Sequence, residues 1–220
     1  MSIMLKEKQP ENKITGMVTL AVLVAVMIVM GVFVLSSALP GMSVTDDIGG
    51  QRGIVDLRTQ SGFDYETDMF LLNGEWEYYP NSLLFPEDFA GGELPTKRYV
   101  QFPHYFRNDP VNFPDGRGFA TYRIVILAPP DAYGVGIFNE FQYGAYRIFL
   151  DGQEITKGGA VSENTGEHFF AYNGGSGYIR SESGEFEIIV QVQCQGHVNG
   201  GLNNNIIIGA PAPIAHYRAF

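Results

Sequence analysis

The sequence has a single cysteine, Cys194, so no disulfide can form within the chain. A lone thiol in an oxidising compartment is either buried or paired with another molecule. Cys194 ends an alternating segment in which Phe186, Ile188, Val190 and Val192 share its face. This pattern predicts a small, buried core residue. A domain of about 170 residues can bury enough apolar surface to be stable without disulfides.

Basic residues are also scarce. The chain has 14 Lys and Arg against 24 Asp and Glu, which gives a formal net charge of −10. A negatively charged surface repels the phosphate backbone, so nucleic acid is excluded as an expected partner.

Motifs that would identify an enzyme are missing. The sequence has no Gly-x-Ser-x-Gly, no His-Glu-x-x-His, no phosphate-binding Gly-Lys-Ser/Thr loop and no calcium-binding loop. The four histidines lie far apart, without the spacing of metal ligands. We therefore expect no metal, no cofactor and no catalytic activity in this chain.

One long uncharged segment is present. No charged side chain occurs between Lys13 and Asp46, and 14–39 is almost wholly apolar. As a helix this stretch would be roughly 39 Å long, enough to cross a hydrocarbon core of about 30 Å. It predicts a transmembrane helix and the lipid bilayer as a partner. Cleavage as a signal peptide near Ala38 is the alternative, although the apolar core is longer than such peptides usually have.

The residues on either side of this segment predict its orientation. Lys6, Lys8 and Lys13 precede it, whereas Asp46 and Asp47 follow it. Positive charge is typical of the cytoplasmic side. We expect a cell-membrane protein with a single span, its N-terminus in the cytoplasm and the remainder outside.

The remainder reads as an all-β domain. The chain contains 27 Gly and 12 Pro, and short apolar segments recur between turn residues. Asn73-Gly74 and Asp151-Gly152 are dipeptides typical of β-hairpins. Alternating strands are predicted at 119–128, 145–150 and 186–194, and further short strands include an aromatic one at 168–172.

These observations predict five consecutive regions. The prediction is a cytoplasmic N-terminus at 1–13, a transmembrane helix at 14–39, a juxtamembrane approach at 40–68, an extracytoplasmic β-sandwich at 69–210, and a C-terminal segment at 211–220 that leads toward further membrane spans.

Five motifs occur in an order that resembles a known family. They are Gly53–Leu57, Leu72–Phe89, Gly116–Ile124, Tyr146–Ile155 and Gly200–Gly209. Together they resemble the extracellular galactose-binding-like domain of bacterial seven-transmembrane signalling receptors, whose cytoplasmic modules are histidine kinases or diguanylate cyclases. The resemblance implies a jelly-roll β-sandwich that binds a ligand, such as a carbohydrate or an exported protein. The seven-helix bundle and the output module are absent from this sequence.

Polar and aromatic side chains in three connections are candidates for such binding. Amides and hydroxyls offer the donors and acceptors that sugar hydroxyls need. The alternative is that these residues form solvated loops and an exposed, uncharged sheet face. The candidates are Glu140, Gln142, Tyr143, His104, Arg107, Gln195, His197, Asn199 and Asn203.

Three functions remain open from the sequence. The first is a membrane-anchored sensor that binds a ligand and transmits a signal. The second is a membrane-tethered binding or scaffold protein without signalling. The third is a fragment of a sugar-active hydrolase, with Glu140 and Asp109 as the imagined carboxyl pair. A homodimer is compatible with each of them.

Overall fold

A computed structural model describes residues 11–38, 44–45, 48–60, 64–130, 132–164, 171, 173–180 and 184–218. The chain divides into two compact units, Met1–Gly41 and Met42–Phe220. The second unit is called the β-domain below. The aromatic strand predicted at 168–172 lies outside the described residues, apart from Ala171.

The described residues of the first unit, 11–38, form the helix α1 (Glu11–Ala38). Its sequence is rich in Leu, Met, Ala and Val and contains no proline, and Pro40 follows closely. Its large apolar side chains from Met17 to Val32 are exposed. Within the described part of the chain, no helix meets the length and apolarity needed to cross a membrane. The transmembrane span at 14–39 stays a prediction.

The β-domain consists mainly of strands. In chain order they are β1 (Val44–Thr45), β2 (Gly49–Gly50), β3 (Ile54–Asp56), β4 (Met69–Leu71), β5 (Asn73–Pro80), β6 (Arg98–Phe102), β7 (His104–Tyr105), β8 (Arg117–Leu127), β9 (Val135–Asn139), β10 (Ala145–Leu150), β11 (Gln153–Gly158), β12 (Gly175–Ile179), β13 (Glu185–Gln195), β14 (Gly201–Leu202) and β15 (Ile206–Gly209). Its described residues also form two short helices, α2 (Pro86–Phe89) and α3 (Pro211–Tyr217), and a 3-10 turn at Phe106–Asn108.

The strands form two main sheets with a core between them. One sheet has the order β1-β4-β15-β9-β12, and the other has the order β11-β10-β13-β8-β5-β2, with β3 beside β8 and β6 beside β5. Strands β14 and β7 form a separate pair. The core combines Trp76, Tyr122 and Ile188 of the larger sheet with Phe70 and Ile208 of the smaller one. The predicted β-sandwich is confirmed.

The long antiparallel strands β8 and β13 lie side by side in the larger sheet, with Ile188 opposite Ile124 and Val190 opposite Tyr122. Their alternate apolar residues point into the core because successive side chains of a strand face opposite sides of the sheet. Cys194 is buried at the end of this row, as predicted. Burial raises the pKa of its thiol, which keeps it unreactive.

The opposite face of β13 is not the exposed, uncharged sheet face that was the alternative to a binding site. Gln191 and Gln193 are fully buried there. Gln191 Nε2 donates to the backbone oxygen of Leu84 at 2.9 Å, and Gln193 Oε1 accepts from the backbone of Ser162 at 2.8 Å. Alternation correctly separates the two faces, but it does not show that connections elsewhere in the chain cover the second one.

The two hairpin dipeptides have different outcomes. Asp151-Gly152 joins the antiparallel strands β10 and β11, and both residues have positive φ, 44° and 82°, as a type I′ turn requires. The hairpin predicted at Asn73-Gly74 is wrong. The dipeptide instead forms the first two residues of β5, and β4 and β5 belong to different sheets. Gly74, with φ of 91°, lies directly against the backbone of Gly50, where the chain crosses between the sheets.

The predicted approach segment, 40–68, contains three short strands. β1, β2 and β3 pair in parallel with β4, β5 and β8 respectively. Val55 and Leu57 are buried in the main core. These pairings connect the start of the β-domain to both sheets.

The smaller sheet is apolar on both faces. Ile206 and Ile208 point into the main core, whereas Ile207 belongs to a separate cluster with Met69 and Ile214. Ile214 lies on α3, so this helix covers the outer face of the sheet. From the sequence, 211–220 was predicted only as a C-terminal segment that leads toward further membrane spans, and no helix was predicted there.

Candidate functional site

Gln142 is the best connected of the predicted site residues. It is fully buried. Its Nε2 donates to Asn139 Oδ1 at 2.7 Å and to the backbone oxygen of Asn204 at 3.1 Å. Its Oε1 accepts from the backbone nitrogens of Asn203 and Asn204 at 3.1 and 3.2 Å. The amide therefore joins the β9–β10 connection to the β14–β15 connection and has no group left for a ligand.

Tyr143, His197, Asn199 and Asn203 lie beside Gln142. The Tyr143 and His197 rings stack with centroids 4.9 Å apart and planes 9° apart. His197 Nδ1 accepts from the Asn199 backbone at 3.1 Å, and Asn203 Nδ2 donates to the backbone oxygen of Asn199. The structure brings these predicted residues together, but the interactions described above are made within the group and stabilise its loops.

His104 adjoins this group because β7 pairs with β14, with His104 opposite Leu202. Its ring lies 4.8 Å from that of Tyr78, and its Nδ1 lies 2.9 Å from Tyr122 Oη. Burial lowers the pKa of His104 to about 4, and the charge of Asp109 opposes that shift only partly. The imidazole is therefore neutral at pH 7 and acts as a structural group.

The other three predicted residues are less integrated. The Arg107 guanidinium lies 4.7 Å from the centre of the Tyr105 ring. Gln195 ends β13 opposite Arg117, and its Nε2 has no hydrogen-bond partner among the described residues. Glu140 is exposed, and no hydrogen bond or ion pair connects it to another described residue. The nine candidates therefore do not converge on one open site.

A groove of about 950 Å³ lies elsewhere, between the smaller sheet and α3. Tyr133 and Tyr178 stand on its walls and are 73% and 60% exposed. Ala210, Ala212 and Ala215 contribute small apolar side chains to the same groove. Large exposed aromatic side chains beside a concave apolar surface are typical of small-molecule sites.

Three elements position this groove. β12 pairs antiparallel with β9, with Tyr178 opposite Gly136, so Tyr178 stands on the edge strand of the smaller sheet. The helix α3 packs on the same sheet, where Ile214 fits against Gly136. A Cβ on that glycine would lie 2.9 Å from Ile214 Cβ, so only glycine allows this close approach.

Two charged side chains, Arg180 and Glu66, also line the groove. Glu66 follows Tyr65, whose buried hydroxyl donates to the backbone oxygen of Gly134 at 2.6 Å. Burial raises the pKa of Tyr65, so the phenol keeps the proton that it donates. Among the residues that the structure describes, neither Arg180 nor Glu66 forms an ion pair. Both can therefore hydrogen-bond to a ligand.

This groove was not predicted from the sequence. Tyr133 follows Pro129 and Pro130 in a connection, and Tyr178 lies in the glycine-rich segment between Gly174 and Ser181, where no strand was predicted. The two tyrosines are 45 positions apart and come together only because β9 pairs with β12. An aromatic residue in a glycine-rich segment was the available signal, and it is a weak one.

A second charged group lies on the larger sheet around Glu77. Its carboxylate accepts from Lys97 Nζ at 2.7 Å, from Tyr79 Oη at 2.9 Å and from Arg123 Nη1 at 3.1 Å. Burial opposes ionisation, but the hydrogen bonds from Lys97 and Tyr79 and the charge of Arg123 hold the pKa of Glu77 below its usual value. A carboxylate held in this way is ill suited to proton transfer near pH 7.

The described residues contain no group of three or more His, Cys, Asp or Glu side chains that could hold a metal ion. The groove beside Tyr133 has one carboxylate among its described lining residues, that of Glu66. Hydrolysis of a glycosidic bond ordinarily requires two, about 5–10 Å apart.

No protein-family model matches the chain, and no curated protein does. Solved structures do show similarity, and the following three are among them. A GH2 beta-galacturonidase from Eisenbergiella tayi bound to galacturonate is 14% identical, with a TM-score of 0.44 over 70% of this chain and 26% of that one. Bifidobacterium dentium beta-glucuronidase complexed with coumarin-3-O-glucuronide is 14% identical, with a TM-score of 0.44 over 64% and 29%. Ruminococcus gnavus beta-glucuronidase is 14% identical, with a TM-score of 0.43 over 66% and 28%.

The chain spans less than a third of the length of each of these proteins. Similarity of this degree assigns neither a family nor an activity to the chain.

Proposed function

We propose that this protein is a membrane-anchored carbohydrate-binding protein, itself non-catalytic, whose β-domain lies outside the cytoplasm. One observation supports the binding role above the others. The groove beside α3 combines two exposed tyrosine rings with a charged donor, Arg180, and a charged acceptor, Glu66.

A sugar ring presents two kinds of surface to a protein. Its C–H groups are apolar and pack against an aromatic face, whereas its hydroxyls both donate and accept hydrogen bonds. Tyr133 and Tyr178 provide aromatic faces, and their hydroxyls are polar. Arg180 donates to hydroxyl oxygens and Glu66 accepts from hydroxyl protons. A groove of about 950 Å³ lies at the upper end of the range for small-molecule sites, which is about 300–1,000 Å³.

The proposed location of the β-domain outside the cytoplasm rests on the N-terminal sequence. Helix α1 (Glu11–Ala38) covers the uncharged run at 14–39 as far as Ala38, and lysines precede the run while aspartates follow it. A domain of the galactose-binding-like jelly-roll type, held outside the membrane by this helix, is consistent with the order of the five sequence motifs. Protease added to intact cells is expected to digest the β-domain. Its survival in intact cells would contradict an external location.

A sensory role is the finer form of the proposal. It is favoured over simple tethering because Pro211, Ala212 and Ala215 of α3 line the groove. A bound ligand would contact the final helix of the described chain and so favour its packed position. A scaffold without signalling would need no such contact.

The binding proposal is tested by calorimetric titration of the full chain in detergent with a broad panel of glycans. We expect at least one glycan to bind, and Tyr133→Ala and Tyr178→Ala each to weaken binding about ten-fold or more, because stacking is lost. A glycan at about 100 times its dissociation constant should add about 2.7 kcal/mol to the free energy of unfolding.

Tyr143→Ala is the matched control because it removes a tyrosine from the predicted loop group instead of the groove. We expect it to leave binding unchanged. If Tyr143→Ala abolishes binding while the two groove variants bind normally, the site is the loop group. If no glycan binds the full chain, the carbohydrate proposal is wrong.

A further inference from the structure

A second cavity, of about 380 Å³, adjoins the groove. Tyr178, Pro211 and Ala215 line both spaces. The two cavities therefore meet along the ridge formed by Tyr178 and the first turn of α3. Together they exceed the volume of about 300–1,000 Å³ that is usual for a single small ligand.

Close packing beneath Tyr178 explains why it stands as a ridge. Its neighbour Gly177 lies against Ile155 of β11, where an added Cβ would be 2.9 Å from Ile155 Cβ. The absence of side chains at Gly175 and Gly177 lets β12 approach β11 closely, although the two strands belong to different sheets. Tyr178 projects from this backbone and is 60% exposed.

The second cavity has a polar lining of its own. Gln153 and Ser176 offer an uncharged amide and a hydroxyl, and Arg218 adds a charged donor. Arg218 forms no ion pair with any residue in the described part of the chain. Both sides of Tyr178 therefore present groups that bind hydroxyls, with an aromatic ring between them.

From this arrangement we infer that the ligand is a linear oligosaccharide of at least two sugar units, which spans both cavities with one ring against Tyr178. The inference rests on the proposed carbohydrate binding and adds the class of carbohydrate. A monosaccharide would fill only one cavity and leave the polar groups of the other in water. Each added unit would contribute contacts until the second cavity is filled.

The test is a calorimetric titration with a length series of the glycan that binds in the panel, from monosaccharide to tetrasaccharide, on the full chain in detergent. We expect affinity to rise about ten-fold or more between the monosaccharide and the trisaccharide, then to level off. The double variant Gln153→Ala, Ser176→Ala is expected to reduce this gain with length.

Gln101→Ala is the matched control, because Gln101 is an exposed strand glutamine on β6 that lines neither cavity. It should leave the whole series unchanged. Equal affinity for every length would overturn the oligosaccharide inference and leave carbohydrate binding intact. The inference would also be overturned if the affinity of the double variant rose with glycan length as much as that of the wild type. Failure of every glycan to bind would instead refute the proposed function.

Discussion

Protonation of His104 is expected to destabilise the β-domain as the pH falls from 7 to 5. Tyr122 Oη lies 2.9 Å from His104 Nδ1, and a neutral imidazole can accept the phenol's proton at that nitrogen. Burial raises the pKa of Tyr122, which therefore keeps that proton. A protonated imidazole would lose Nδ1 as an acceptor and place a charge among buried aromatic rings.

The sign and size of the effect follow from the pKa of His104. It is about 4 in the folded protein, against 6.5 for an unhindered histidine. Between these values the unfolded chain binds more protons than the folded one, so stability falls as the pH falls. The whole loss corresponds to about 3 kcal/mol, of which about 2 kcal/mol occurs between pH 7 and pH 5.

Urea unfolding measured through tryptophan fluorescence is a suitable assay, because the chain has one tryptophan, Trp76, and it is fully buried. The matched variant is His104→Asn, which cannot titrate in this range. Carboxylates such as Glu77 and Asp56, whose pKa values are lowered, contribute equally to both proteins. The wild type should therefore lose about 2 kcal/mol more than the variant between pH 7 and pH 5. Parallel pH profiles would refute the reasoning.

Three further predictions concern packing and polar contacts. Gln142→Ala should lower the free energy of unfolding in urea by about 3 kcal/mol, because it leaves buried backbone donors without acceptors. Glu140→Ala in the same connection should change it by about 0.5 kcal/mol or less. Equal effects of the two variants would contradict the role of Gln142 in joining the two connections. Glu77→Gln should lower the free energy of unfolding by about 2 kcal/mol, since it breaks the ion pair between the buried Glu77 and the half-exposed Lys97. Asp115→Asn breaks an exposed ion pair with Arg117 and should leave the urea midpoint unchanged. Gly136→Ala should push α3 away from the sheet, because the added methyl group would collide with Ile214. We expect faster amide hydrogen exchange in 211–217. Unchanged exchange there would contradict the close contact between Gly136 and Ile214.

The fold was predictable where alternation continued over a long strand. β8, β10 and β13 each show the period of two that places one row of side chains in the core. The burial of Cys194 followed from the same reasoning.

Sheet membership was not predictable from local sequence. Asn73-Gly74 has the composition of a hairpin, yet the chain there passes from one sheet to the other. β12 was missed because Gly175 and Gly177 have no side chains to reveal a period.

The candidate site depended on contacts between distant segments. Sequence reasoning found polar loops, and the structure shows that Gln142 and His104 use their polar atoms within the protein. Tyr133 and Tyr178 come together through the pairing of β9 with β12, and the groove closes only where α3 returns to the sheet. No local sequence pattern predicts that these distant segments come into contact.

The attachment of α3 has a consequence for motion. Its buried contacts are to Met69 and Ile207 on the outer face of the smaller sheet, and its Tyr217 ring meets Phe138 edge-on at 5.4 Å. This cluster is separate from the main core, so the helix is expected to detach as a local unfolding unit at a lower free energy than the sandwich itself. Release of α3 would remove one wall of the groove, and ligand affinity should therefore depend on how often the helix is docked.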